Sequence, residues 1–334
     1  MSLPSDPSPP NSASAASPPP PGQRRVSFFT KDRPWINVVL FVLTLGSAFL
    51  VGISWSLNYL YAEQFSADPN FQPAVGFFRD SRLIFLSAVY AIVLMAILLA
   101  HELGHYLTCR RYGLSATLPF FIPAPSLIGT LGAFIKIRSP INLKRRLFDI
   151  GAAGPLAGFV LAVPALFAGL AMSKTVPAIP QEEAIVFGES LLLRLGGMLF
   201  LKDAGPGMDI VLHPIAFAGW VGVLVTALNL LPLGQLDGGH ISYAVFGSRN
   251  RLISKIVMGL LVVFGLLFWA GWLIWFFLLL IMGLRHPRVF DENEPLGKKR
   301  TILAVAILAI FILSFIPAPI QGYNVVQLVR SIWP

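Results

Sequence analysis

Charge is scarce in this chain. Only 12% of its 334 residues are Asp, Glu, Lys or Arg, against 55% that are hydrophobic. A soluble globular protein carries about a quarter charged residues, so the deficit excludes an ordinary soluble globule. No stretch is long and polar enough to be a separate soluble domain of usual size. Cysteine is scarcer still: Cys109 stands alone. That excludes an intramolecular disulfide and any cysteine-based zinc site. Beside Arg110 and Arg111 it reads as a small residue near a helix end, facing a reducing compartment. Acids are also short relative to bases, 16 against 25, for a net charge of +9. The excess bases form no stripe. They gather where apolar runs end, the pattern of cytoplasmic loops in membrane proteins, and this argues against a nucleic-acid partner. A fixed-period internal repeat is lacking too.

What the chain has instead is long apolar runs. Residues 1–33 are rich in Pro and Ser and poor in apolar residues, and are expected to form a disordered cytoplasmic tail. Residues 34–320 are expected to be one integral membrane domain and 321–334 a short tail. The apolar runs lie at 36 to about 59, 82–109, 147–172, 213–231, 252–284 and 301–317. The first is too long for a signal-peptide core. The fifth is broken at Ala270-Gly271 and has basic residues at both ends, so two short helices in a hairpin are expected. The total is about six to seven transmembrane helices. Residues 173–212 are more acidic and fall on the outer face, with 184–201 read as an interfacial helix.

Residues 114–140 differ. They are apolar, but Pro119, Pro123 and Pro125 break any helix. Two short strands in a hairpin, dipping in from the cytoplasmic side, are expected. Such a sheet edge could pair with an extended substrate, with Gly129 and Gly132 as candidate substrate-binding positions. The expected fold class is an all-α polytopic membrane protein with a small membrane-associated β-hairpin near the active site. The stretch from Gly151 to Gly158 is built of small residues, which let helices approach closely in lipid, and Pro155 is expected to kink its helix. Asp149, just before it, reads as a favourable charge at a helix N-terminus.

Inside the 82–109 run lies His101-Glu102-Leu103-Gly104-His105. Residues four apart share a helix face, so two imidazoles there can bind one Zn²⁺, with Glu102 beside them as general base. Charged groups at membrane depth are costly and are usually functional. A third protein ligand is needed. His213 falls at the outer end of its helix and His286 at the inner surface beside Arg285. Asp237 follows a Pro/Gly break at about the depth of the motif. Taken alone it reads as a helix cap for the segment starting near Gly238, but beside the motif it is the favoured ligand. His240 is the runner-up, or a hydrogen-bonding neighbour of the metal shell.

The two motifs, HELGH in a membrane helix and NLLPLGQLDGG far downstream, resemble the site-2 protease family of intramembrane zinc metalloproteases. The resemblance covers about residues 80–290. It implies that His101, His105 and Asp237 hold one Zn²⁺ per chain, that Glu102 is catalytic, and that Asn229 contacts substrate backbone or the oxyanion. It further implies cleavage of a membrane-protein substrate, expected to be single-pass, in or near its transmembrane segment. Many members have two prolines where this chain has Gly234-Gln235. With no peptide-binding insert, the chain is similar to the minimal members of the bacterial and plastid branch. The location expected is the bacterial cytoplasmic (inner) membrane, with the N-terminus cytoplasmic. A different class of function, a metal-binding scaffold or transporter without proteolysis, would use the same His and Asp residues but would need no general base.

Overall fold

The computed structural model describes residues 33–68, 70–73, 79–178, 185–201, 205, 207–283, 289–291, 294–322 and 325–326. The chain divides into Met1–Arg33 and Pro34–Pro334, and the architecture below is that of the second unit. The expected disordered tail lies outside the described residues apart from Arg33, as do Glu182, Glu183, Asp203, Arg285, His286, Arg288 and most of the tail after Gly322.

The structure is mostly helical. Among the described residues, four helical segments are long and apolar enough to cross a membrane: Pro34–Leu60, Ser81–Arg111, Lys144–Leu170 and Asp237–Leu267. The first three are single helices, α1, α3 and α4, with the short α2 (Ala62–Ala67) after α1. The fourth comprises α7 (Asp237–Phe246), a 3-10 turn (Gly247–Arg249) and α8 (Asn250–Leu267). Shorter helices are α5 (Leu191–Phe200), α6 (Pro214–Asn229), α9 (Gly271–Met282) and α10 (Lys298–Ser314). The large side chains left exposed, such as Phe85, Ile274 and Ile281, would be untenable in water over so wide an area and suit lipid.

Local chemistry fixes the helix ends. The Asp80 carboxylate accepts the Arg82 N–H and opens α3, while Arg110 and Arg111 in its last turn complement the helix dipole. His213 opens α6: its Nδ1 accepts the Ile215 N–H, and Pro214 takes the first helical position, where no N–H is required. Helices α3, α4 and α6 pack together around Leu94, Leu98, Ala162, Leu166, Phe217 and Val221. Small residues allow this: any Cβ at Gly219 would strike the Leu166 backbone, and one at Gly169 the Ala216 backbone.

The expected hairpin is present. Strand β1 (Phe120–Pro123) pairs antiparallel with β2 (Thr130–Phe134), with Phe120 opposite Phe134 and Phe121 opposite Ala133. A further bridge joins Ala116 and Ile137. Between the bridge and the strands, residues 117–119 oppose only 135–136, so the extra residue lies just before β1, and the register shifts again between Phe121 and Pro123. A second pair, β3 (Lys174–Pro177) with β4 (Met208–Val211), lies between α4 and α6 in sequence, where only an interfacial helix was expected; that helix is α5. The 252–284 run is a hairpin. Gly265 of α8 lies against Leu273 of α9, and Met258, Leu261, Trp272 and Leu279 share one core cluster.

Asp149 does more than face a helix dipole. Its carboxylate accepts two hydrogen bonds from Arg300, at 2.8 and 2.7 Å, and one from the Tyr112 hydroxyl. The end of α3 and the starts of α4 and α10 are thereby tied together on one face, the face that carries the bases. Burial and the Asp149 hydrogen bond hold the Tyr112 phenol above its ordinary pKa. On the opposite face the His213 N–H donates to Ser173 and the Tyr59 hydroxyl to the Met172 carbonyl.

Candidate metal centre

His101 and His105 lie one turn apart on α3 and turn the same way. Their Nε2 atoms are 3.2 Å apart. Asp237, the first residue of α7, reaches them from across the bundle: its Oδ2 lies 3.2 Å from His101 Nε2 and 3.3 Å from His105 Nε2. Three ligand atoms therefore form a nearly equilateral triangle. In a tetrahedral zinc site with bonds of about 2.0–2.1 Å, neighbouring ligand atoms stand about 3.3 Å apart. The donor set, two imidazoles and a carboxylate with the fourth corner left over, fits a zinc that keeps one open position. Among the described residues this is the group of His, Cys, Asp and Glu side chains gathered closely enough to hold a metal ion. His240, one turn along α7, is not in it.

The surroundings orient these groups. His105 Nδ1 lies 2.8 Å from the Ile150 carbonyl of α4. A carbonyl only accepts, so Nδ1 carries the proton and Nε2 is left bare for a metal. The face of α4 opposite the cluster is glycine. A Cβ at Gly154 would fall on the His105 ring, one at Gly158 would lie 3.2 Å from the His101 Cβ, and one at Gly151 would lie 3.2 Å from the Asp237 carbonyl oxygen. Gly154 and Gly158 make room for the two imidazoles, while Gly151 makes room for the start of α7, His240 Cβ lying nearest at 3.0 Å. On α3, Gly104 lies against the Ala153 carbonyl, where no side chain fits. The small-residue stretch was legible as a packing motif; that its glycines house the imidazoles is visible only in three dimensions.

The turn before Asp237 sets its position. The chain leaves α6 at Asn229 and bends through Pro232 and Gly234, which has a φ of +49°. It then enters α7 with Gly238 packed on the Leu230 carbonyl and Gly239 on that of Leu233. Either Cβ would collide with that backbone, which is why two glycines follow the aspartate. Ser254 of α8 donates to the Pro232 carbonyl and steadies the turn from outside.

Glu102 is buried, at 6% exposure, like His101 at 5% and His105 at 7%. The backbone of Ile135, just after β2, lies beside its carboxylate. The hairpin therefore ends on the glutamate of the motif. The structure treats the two hairpin glycines differently. Gly132 (φ +98°) has open space where a side chain would go, whereas Gly129 (φ +83°) packs against the Ala48 backbone of α1. Gly129 is thus a packing residue against α1. Asn229 is half-buried at the end of α6, one residue before the Asp237 turn.

Residues 89–271 match the model of peptidase family M50. The chain is 32% identical, over 84% of its length and 53% of the relative's, to "Probable zinc metalloprotease EGY1, chloroplastic" of Arabidopsis thaliana. To the protein of the same name from Oryza sativa subsp. japonica it is 36% identical over 64% of this chain and 38% of the relative. To "Probable zinc metalloprotease EGY2, chloroplastic" of Arabidopsis thaliana it is 30% identical over 69% and 41%. The chain spans about half or less of the length of these relatives. They are named chloroplastic and lend no support to a bacterial cytoplasmic membrane. No solved structure matches the chain.

Proposed function

The chain belongs to peptidase family M50, and from that premise we propose that it is an intramembrane zinc endopeptidase acting on membrane proteins. The observation that carries this reading is the triangle of His101, His105 and Asp237 beside a buried Glu102. When bound, zinc would supply a Lewis acid that acidifies water and polarises a carbonyl. His101 and His105, through Nε2, and Asp237, through Oδ2, are the residues that would hold it. Glu102 accepts a proton from the attacking water and returns it to the leaving nitrogen as the peptide C–N bond breaks. Ile150 keeps His105 in the tautomer that leaves Nε2 free. The intact Glu102 speaks against a metal scaffold or transporter, which has no use for a general base.

A substrate must be unwound before its carbonyls are accessible. The outer edge of β2 is the natural place to hold it extended. Ala133 and Ile135 are two residues apart and present backbone groups to the same side, and Ile135 reaches Glu102. Gly132 leaves a face of β2 next to that edge open, and Asn229 would hold substrate backbone from the other side. The substrate is read as single-pass, cut in or near its membrane helix. We count α1, α3, α4, α6, the two helices of the α8–α9 hairpin and α10 as seven spans, with the first residues of α1 on the basic face. Reconstituted protein should cleave a single-pass membrane substrate, lose cleavage to a zinc chelator and regain it with zinc. Zinc flux across the vesicle without any cleavage would favour the transporter reading instead.

A further inference from the structure

The prolines of the hairpin leave it short of donors. Pro119, Pro123 and Pro125 have no N–H, so the segment from 118 to 129 offers more carbonyls than its own amides can satisfy. At membrane depth no water makes up the difference, and irregular backbone survives only where protein supplies partners. The partners are side chains of α1, a helix outside the 89–271 match. Asn37 Nδ2, buried, donates to the Leu118 and Pro119 carbonyls at 3.0 and 2.8 Å. Ser47 Oγ donates to the Gly129 carbonyl at 2.6 Å, and Trp55 Nε1 to the Leu127 carbonyl at 2.9 Å. Between these points Phe41 stands edge-on to Phe121, with ring centroids 5.1 Å apart. From Asn37 to Trp55 is 18 residues, about 27 Å of helix, so α1 backs the hairpin from base to turn. From α3, the Tyr90 hydroxyl donates to the Ile128 carbonyl.

We propose that α1 is a fixed backing for the substrate-presenting hairpin, and that Asn37, Ser47 and Trp55 are its positioning residues. This rests on the strand-edge reading of the proposed protease. By holding the β1 side, α1 leaves β2 as the side available to substrate, where Leu131 is 71% exposed. It also fixes the distance from that edge to Glu102. The three residues touch neither metal ligands nor reacting atoms, and act through the hairpin backbone.

The test uses the full-length protein in bilayers. Asn37→Leu and Trp55→Phe each remove a donor while keeping α1 apolar, and Asn37→Gln keeps the amide. Amide exchange across 120–135 should rise about tenfold or more in Asn37→Leu, which loses two hydrogen bonds, rise a few-fold (about threefold) in Trp55→Phe, whose bond is more exposed, and stay near wild type in Asn37→Gln. Zinc content should not change. In cleavage assays the loss, again about tenfold in kcat/KM, should fall on KM, because engagement is impaired and the metal centre is not. Unchanged exchange overturns the backing role. Faster exchange with an unaltered KM overturns the positioning role. A wild-type protein that binds zinc and cleaves nothing sinks the protease reading, and the exchange data then still decide whether α1 holds the hairpin.

Discussion

Gly154→Ala tests the glycine face of α4. The added methyl would fall on the His105 ring, so the ring or the helix must yield. Forcing an extra carbon into a packed site costs roughly 1–3 kcal/mol. Disturbing the groups that support a metal ligand lowers affinity about 10–100-fold, which at about 1.4 kcal/mol per tenfold is the same range. Two independent routes therefore give one expectation: zinc binds about 10–100-fold more weakly. The assay is competition with a chelator of known affinity on the purified protein, read by elemental analysis. Gly46→Ala is the control, because nothing lies within 4 Å of the position of its Cβ; it should bind zinc as the wild type does. Wild-type zinc affinity in Gly154→Ala would refute the argument that this glycine exists to seat His105.

Three further expectations follow from the same geometry. Asp237→Asn replaces the anionic ligand with a weaker neutral one and should reduce bound zinc well below one per chain, measured on protein purified without added metal. Arg300→Met removes both hydrogen bonds to Asp149. It should destabilise the protein by about 1–2 kcal/mol, the scale of a charge-assisted bidentate pair that is partly solvent-screened, seen as a lower unfolding midpoint in mild detergent. The Tyr112 phenol is held above its ordinary pKa by burial and by Asp149. The folded state therefore favours its protonated form. That contribution is complete below the ordinary tyrosine pKa and is lost as pH rises through the raised folded value. Stability should thus fall on alkaline titration less steeply in Tyr112→Phe than in wild type.

Much of the site was legible because its logic is local or depends on depth. His101 and His105 are four residues apart, and helix geometry alone puts them on one face. Asp237 could be picked out because an acid after a Pro/Gly break, between apolar runs, needs a partner. The prolines at 119, 123 and 125 ruled out a helix and left a hairpin. Contacts between distant segments were not legible. Asp149 looked like a helix-start acid, and its partner Arg300 lies 151 residues away. The donors on α1 are ordinary polar residues in an apolar run, and nothing in their spacing says that they face carbonyls about 80 residues downstream. Gly129 and Gly132 look alike in sequence. Only the position of Ala48 separates a packing glycine from an open one.

In the proposed mechanism a triad of His101, His105 and Asp237 holds the metal while Glu102 moves the proton. Glu102→Gln separates those two tasks, because it keeps the shape and all three ligands. The direct measurement is cleavage of a reconstituted membrane substrate by Glu102→Gln protein whose zinc content has been determined on the same sample. About one zinc per chain and no detectable product are expected. Zinc at that level together with cleavage at the wild-type rate would contradict the mechanism.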